Sequence, residues 1–325
     1  MNVLAVIYAN RVPNNDRLYT ALADHVGELD VRRIDGETAR RLDRVITPGD
    51  IDHFDRIVLE IRAKHALPQA RFLRTLRQLV LYEEDTWQNY VGFTKNRGLF
   101  THYYRAVQPR RIIHSGFTVA QKTRELGFDS VFLPKGYDGS VLWNTGAPRD
   151  IPAAFVGRVA HANYGTRKAL LETVADQRGV ALLRTHTAEE YRETLSRIRT
   201  FVSADVGFGE HMIKNFEAMA CGALLLAHRQ PGDDEALGFT HMENVVLYEG
   251  IEGCLKALDA IASLSDSEVA DIAAAGQKLA EANHEHAVLA ERYAALLNRP
   301  LEVCAAQLPR PGASLLQKLR RTLRR

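Results

Sequence analysis

The sequence predicts an α/β protein built from two doubly wound parallel-sheet layers that face a cleft. Three observations point there. Short apolar runs alternate with helix-length stretches, and the connections are short. Runs such as Val3–Tyr8 are apolar without alternation, as strands buried on both faces of a parallel sheet are. The alternation breaks at Leu133-Pro-Lys-Gly-Tyr-Asp-Gly-Ser-Val-Leu-Trp-Asn-Thr-Gly-Ala-Pro148, whose two prolines and three glycines suit a linker. A chain of 325 residues has room for two domains of about 150 each.

In the first half, strands are expected at 3–8, 28–34, 56–61, 78–82, 111–114 and 130–133, with helices at 16–27, 66–76, 94–104 and 116–126. The second half restarts with a strand at 153–156 that ends in Gly157-Arg158. Further strands are expected at 180–183, 199–203, 223–227 and 245–248, and helices at 166–177, 188–197, 251–263 and, broken, 266–297. This gives a first domain over 1–138, a linker over 139–152, a second domain over 153–298 and a tail over 299–325. Open α/β sheets bind ligands at the carboxyl ends of their strands, so residues just after strands carry the interest.

Composition excludes several classes. The formal charge is +2, but residues 310–325 alone carry +6, so the remaining body is mildly acidic and does not suit nucleic acid. Cys221, Cys254 and Cys304 are far apart, without a CxxC pair, and indicate neither a zinc site nor a disulfide framework. No run approaches the roughly 18 apolar residues of a membrane span, and the first run lacks the basic flank of a signal peptide. A cytoplasmic protein is expected. The first strand is followed by Ala9-Asn-Arg-Val-Pro-Asn-Asn15, without a glycine, which argues against a dinucleotide site; P-loop and G-x-S-x-G motifs are absent.

The most informative stretch is Gly207-Phe-Gly-Glu-His-Met-Ile-Lys-Asn-Phe-Glu-Ala-Met-Ala-Cys-Gly222. It reads as a glycine-bounded loop and a short helix. Gly207 and Gly209 allow close backbone approach. Lys214 and Glu217, three apart, share a helix face. A cation, a carboxylate and a helix N-terminus together suit a phosphorylated, hydroxyl-rich ligand, with Glu217 accepting from a ribose diol. The plainer reading of Lys214 and Glu217 is a surface ion pair. Arg158, with Arg167 and Lys168 opening the next helix, is either a clamp on a diphosphate or a set of solvated cations. Glu83, Glu84 and Asp85 follow a strand and form a sugar-hydroxyl site or a solvated loop. His114 also ends a strand, where it contacts substrate or caps a helix. His284 and His286 are read as surface residues with no third metal ligand.

These residues resemble a known family. Phe216-Glu-Ala-Met-Ala-Cys-Gly-Ala-Leu-Leu-Leu226 looks like the signature of GT-B glycosyltransferases of the "glycosyl transferases group 1" kind, and more closely of their bacterial spore-maturation-type subgroup. Phe155-Val-Gly-Arg158, Leu133-Pro-Lys-Gly-Tyr-Asp138 and Arg229–Tyr248 resemble further family segments in order and spacing. The resemblance implies two Rossmann-like domains and a nucleotide-sugar donor, with no metal or other cofactor. By it, Glu217 takes the ribose; Arg158, Arg167 and Lys214 take the diphosphate; and Gly136, Gly207 and Gly209 belong to the donor site. The family's two glutamates are separated by seven residues. Here six separate Glu210 from Glu217, and Gly209 stands where the first acid is expected. Glu210, Asp85 and His114 are the catalytic candidates, and Asn10, Arg11 and Glu84 the acceptor-binding ones.

Ser314–Arg325 carries leucines at 315, 316, 319 and 323 on one helical face and cations on the other. A basic amphipathic helix suits an anionic membrane surface; the plainer readings are a disordered solvated tail or a helix packed on a partner chain. The function expected is a nucleotide-sugar glycosyltransferase using a glycan or lipid-linked acceptor in bacterial surface-polysaccharide assembly, peripheral on the inner face of the cytoplasmic membrane. A sugar-nucleotide epimerase of the same fold and a non-catalytic nucleotide-binding module are the alternatives.

Overall fold

The computed structural model describes residues 1–9, 12–92, 94–159, 165–204 and 209–301. Six parallel strands form the first sheet: β1 (Asn2–Tyr8), β2 (Glu28–Ile34), β3 (Arg56–Glu60), β4 (Leu79–Glu83), β5 (Arg111–His114) and β6 (Ser130–Phe132), in the order β2-β1-β3-β4-β5-β6. Five form the second: β7 (Ile151–Val156), β8 (Ala181–Leu183), β9 (Ile198–Val202), β10 (Leu224–His228) and β11 (Val246–Tyr248), in the order β11-β10-β9-β7-β8. Each sheet starts in its middle, winds one way and then reverses. The reversals, at β1/β3 and β7/β9, open a crevice at the carboxyl ends of the strands.

Among the described residues, fourteen α-helices connect or follow the strands. They are α1 (Val12–Leu22), α2 (Leu42–Val45), α3 (Pro48–His53), α4 (Ala63–Ala66), α5 (Ala70–Leu73), α6 (Leu99–Val107), α7 (Phe117–Glu125), α8 (Gly165–Arg178), α9 (Ala188–Arg197), α10 (Ile213–Ala220), α11 (Asp233–Leu237), α12 (Gly250–Ser263), α13 (Asp266–Asn283) and α14 (His286–Asn298).

Strand β1 shows why the first sheet is covered on both sides. Leu4, Val6 and Tyr8 enter one apolar cluster, and Val3, Ala5 and Ile7 enter the other. The second cluster is completed by α14, through Leu289, Ala290, Tyr293 and Leu297, so the chain returns to the first sheet at its end. Arg111, almost fully buried, fixes that return. Its guanidinium donates to the carbonyls of Leu296, Arg299 and Pro300 and pairs with Asp129 at 2.8 Å.

Several helices differ from the sequence expectation. The stretch 66–76 is divided, because Pro68 lies in a single 3₁₀ turn between α4 and α5. The helix expected from 94 starts at Leu99, after Gly98 turns into the left-handed region (φ 73°). Helix α3 was not expected; a capping box between Thr47 and Asp50 starts it. The long last helix breaks at His284–Glu285, where the chain crosses between the sheets. There the Tyr137 N–H donates to the His284 carbonyl, and the His286 N–H to the Tyr137 carbonyl, tying the two crossings together.

Candidate functional site

At the β7/β9 reversal, Gly157 follows β7 with φ 144°, and a Cβ there would lie 3.1 Å from Lys214 Cε. Only glycine lets the lysine lie across the strand end. Lys214 and Glu217 leave the same face of α10, as their spacing requires, and Tyr191 of α9 stands between them. The Lys214 ammonium sits 4.6 Å from the centre of the Tyr191 ring and donates to its hydroxyl at 3.2 Å. That hydroxyl donates to Glu217 Oε2 at 2.6 Å. Burial pushes the Lys214 ammonium below its ordinary value; Glu217 opposes the shift and Arg167 adds to it. Burial, with the charge of Glu217, holds the Tyr191 phenol well above its ordinary value. Glu217 lines a small cavity of about 170 Å³ together with Tyr137, Asp138 and Ile213.

Arg167 is buried rather than presented to the crevice. It donates to the Ala204 carbonyl at 3.1 Å, touches Met212 Sδ at 2.8 Å and lies over the Phe155 ring. Arg158 is exposed beside Gly157. Gly136 packs against other groups, although Tyr137 beside it lines the Glu217 cavity. It lies at the crossing, where a Cβ would meet the His284 carbonyl at 2.4 Å, so glycine is required there by close packing of backbone. Gly207 and the acceptor candidates Asn10 and Arg11 lie outside the described residues.

Glu210 faces the other way. Only 4% exposed, it accepts from the N–H groups of Asp85 and Trp87 at 3.2 Å each and from Ser115 Oγ at 2.7 Å. Lys135 Nζ stands 3.5 Å away. All three donors come from the first sheet's loops. Gly209, in the left-handed region (φ 59°), presses on Trp87, where a Cβ would lie 2.6 Å from the indole nitrogen. Burial raises the Glu210 carboxyl above its usual range; Lys135 opposes this and Asp85 adds to it. Asp233, also buried, makes a second grip. It accepts from the N–H groups of Phe117 and Thr118 at 3.0 and 2.8 Å and from Thr118 Oγ1 at 2.6 Å. It thereby caps α7 across the boundary, where Gly116 has no side chain to do so.

On the first sheet, Asp85 is 44% exposed at its side chain and pairs with Lys135 at 2.8 Å. Glu84 is half-buried and accepts from Asn15, which also donates to buried Glu60 at 2.8 Å. His114 does not reach the cleft. Its ring is fully buried against Tyr104, shares a hydrogen bond with Thr86 Oγ1, and is pushed down to about 3 by burial. That setting does not suit an acid–base catalyst. His284 and His286, expected at the surface, are buried as well. Burial pushes them down to about 3 and 4, and His284 stacks on Phe216 at 4.0 Å. Sequence reasoning missed Tyr191, which stands at no motif position; Lys135 and Asp233 lie in segments that resemble the family, but only the fold shows their contacts across the boundary.

Residues 151–296 match the model of a family described as glycosyl transferase-like. This stretch is thus similar to a glycosyl transferase-like domain. It contains Gly157, Tyr191, Glu210, Lys214 and Glu217 together. No curated protein matches the chain in sequence. Solved structures match it in fold. Sucrose-phosphate synthase from Thermosynechococcus elongatus superposes with a TM-score of 0.66 at 12% identity, covering 91% of this chain and 98% of that one. HepE of Anabaena, in complex with UDP-glucose, gives 0.64 at 14% identity, covering 91% and 98%. A glycosyltransferase from Rickettsia africae gives 0.58 at 12% identity, covering 91% and 97%. The two sheets thus form the two halves of a GT-B fold.

Proposed function

We propose that the protein is a glycosyltransferase that takes a sugar from a nucleoside-diphosphate donor held at the β7/β9 crevice. The observation that carries this reading is the Lys214–Tyr191–Glu217 group at the reversal of a glycosyl transferase-like domain. Tyr191 occupies one oxygen of Glu217 and leaves the other for a ribose hydroxyl. Lys214 and exposed Arg158 neutralise the diphosphate; Arg167, buried behind them, adds positive potential. Cations fixed before the reaction stabilise the departing diphosphate without reorganising. The HepE complexes with UDP and with UDP-glucose support the choice of ligand class.

In this reading the protein's own cations do the neutralising, and a chelator leaves the activity unchanged. The acceptor is a glycan or lipid-linked sugar at the first-sheet edge, where Glu84 and Asp85 are the acids within its reach. Bacterial surface-polysaccharide assembly suits such an acceptor. Residues 314–325 then hold the enzyme peripherally on an anionic cytoplasmic leaflet, each cation contributing about 1 kcal/mol. Among the described residues, no helix is long and apolar enough to cross a membrane.

The test is thermal unfolding with UDP, ADP and GDP, followed by turnover of the matching nucleotide sugars with and without EDTA. At about 100 times its dissociation constant, the right nucleotide stabilises by about 2.7 kcal/mol. Stabilisation by none of them sinks the reading. Nucleotide binding without turnover of any sugar leaves only a binding module, the reading that the withdrawal of Glu210 into the domain boundary would then favour.

A further inference from the structure

A second cavity, about 480 Å³, opens at the carboxyl ends of β3 and β4, beside Glu84. Its size suits one or two sugar rings. Three cations line it: Arg62 after β3, Lys64 on α4, and Lys95 on the loop before α6. All three are exposed, and among the described residues none makes an ion pair. Arg62 is steadied by the Tyr8 ring, 5.0 Å from its guanidinium carbon. The wall that carries Lys95 is braced by Asn96, whose amide donates to Gln88 Oε1 at 2.8 Å.

The cavity's two acids are placed differently. Glu84 accepts from Asn15 and lies in the field of the Lys135 ammonium, while Glu83 is buried. The carboxylates have partners within the protein, and the cations are left facing the cavity. Phe100 and Leu99 supply an apolar wall for a ring face.

We infer that this cavity binds an anionic sugar, one that carries a carboxylate or a phosphate. On the glycosyltransferase reading above, that sugar is the acceptor. Arg62, Lys64 and Lys95 take the anion, and the ring packs toward Phe100 with its hydroxyls near Glu84.

Titration calorimetry of the full chain, with and without UDP, tests this using glucose, glucuronate and glucose 6-phosphate. At least one anionic sugar binds about ten-fold or more tighter than glucose, the difference one charge-assisted hydrogen bond makes. Whichever is preferred identifies the anionic group. Its affinity falls as salt rises from about 0.05 to 0.2 M. The Lys64→Ala/Lys95→Ala double variant, checked for an unchanged melting temperature, loses about ten-fold in that affinity and keeps its affinity for UDP. Equal binding of all three sugars, no binding of either anionic sugar at tens of millimolar, or indifference of the double variant overturns the inference. Anionic-sugar binding without UDP binding would overturn the donor reading and leave this cavity's assignment standing.

Discussion

Glu210 and Glu217 stand seven positions apart in one segment, yet they serve different regions of the molecule. Glu217 is half-buried, takes one hydroxyl from Tyr191 and opens on a small cavity. Glu210 is buried and receives two backbone N–H groups and a serine hydroxyl from the opposite sheet. One carboxylate has capacity left for a ligand; the other spends its capacity on joining the halves. On the proposed function, ligand binding and cohesion are told apart by how completely each carboxylate is satisfied within the chain.

Acid should separate the two regions most strongly. His114, His284 and His286 are held neutral by burial, and the latter two flank the crossing. Their folded values lie below the ordinary imidazole value. Stability is therefore complete above about pH 6.5 and is lost as pH falls toward 3–4, because the unfolded chain takes up protons that the folded chain refuses. The expected slope is about 1.4 kcal/mol per pH unit for each histidine. Urea unfolding at several pH values checks it, with His286→Gln reducing the slope; a flat profile would show that these rings titrate freely.

The next largest effect is expected from Glu210→Ala. It leaves Ser115, two N–H groups and Lys135 without their shared acceptor, and should cost about 3 kcal/mol in denaturant unfolding. Affinity for UDP should stay within about twofold, since the two sites are separate. Glu217→Gln should do the reverse: about ten-fold weaker UDP binding, with stability changed by less than about 1 kcal/mol. If Glu210→Ala abolished nucleotide binding while the fold stayed firm, the contrast between the two glutamates would collapse.

Much of the fold was legible in the sequence because parallel strands are buried on both faces. Val3–Tyr8 and Leu224–Ala227 read as unbroken apolar runs, and both are strands. The Lys214/Glu217 face was legible for a similar local reason, the three-residue helical spacing. Side chains that act across the boundary were not. Asp233 lies in an acidic triplet that the resemblance places near acceptor or sugar, and nothing local says that it caps a helix more than a hundred residues earlier. His114 sits at a strand end, as a substrate contact would, but the register of β5 turns it toward Tyr104. The sequence reads Gly209 as allowing a close approach and, by resemblance, Gly136 as part of the donor site; both are places where the chain is closely approached. The surfaces approached, the His284 carbonyl and the Trp87 ring, come from distant parts of the chain.

The return of α14 to the first sheet also bears on how the molecule is made. Leu289, Ala290, Tyr293 and Leu297 complete an apolar layer whose other members, Val3, Ile7, Leu18 and Leu22, lie at the beginning of the chain. On a ribosome, the sheet translated first has that layer only partly covered, by α1, until the second domain has emerged, whereas the second domain has its core complete before α14 appears. The half that is synthesised last is thus free to fold first.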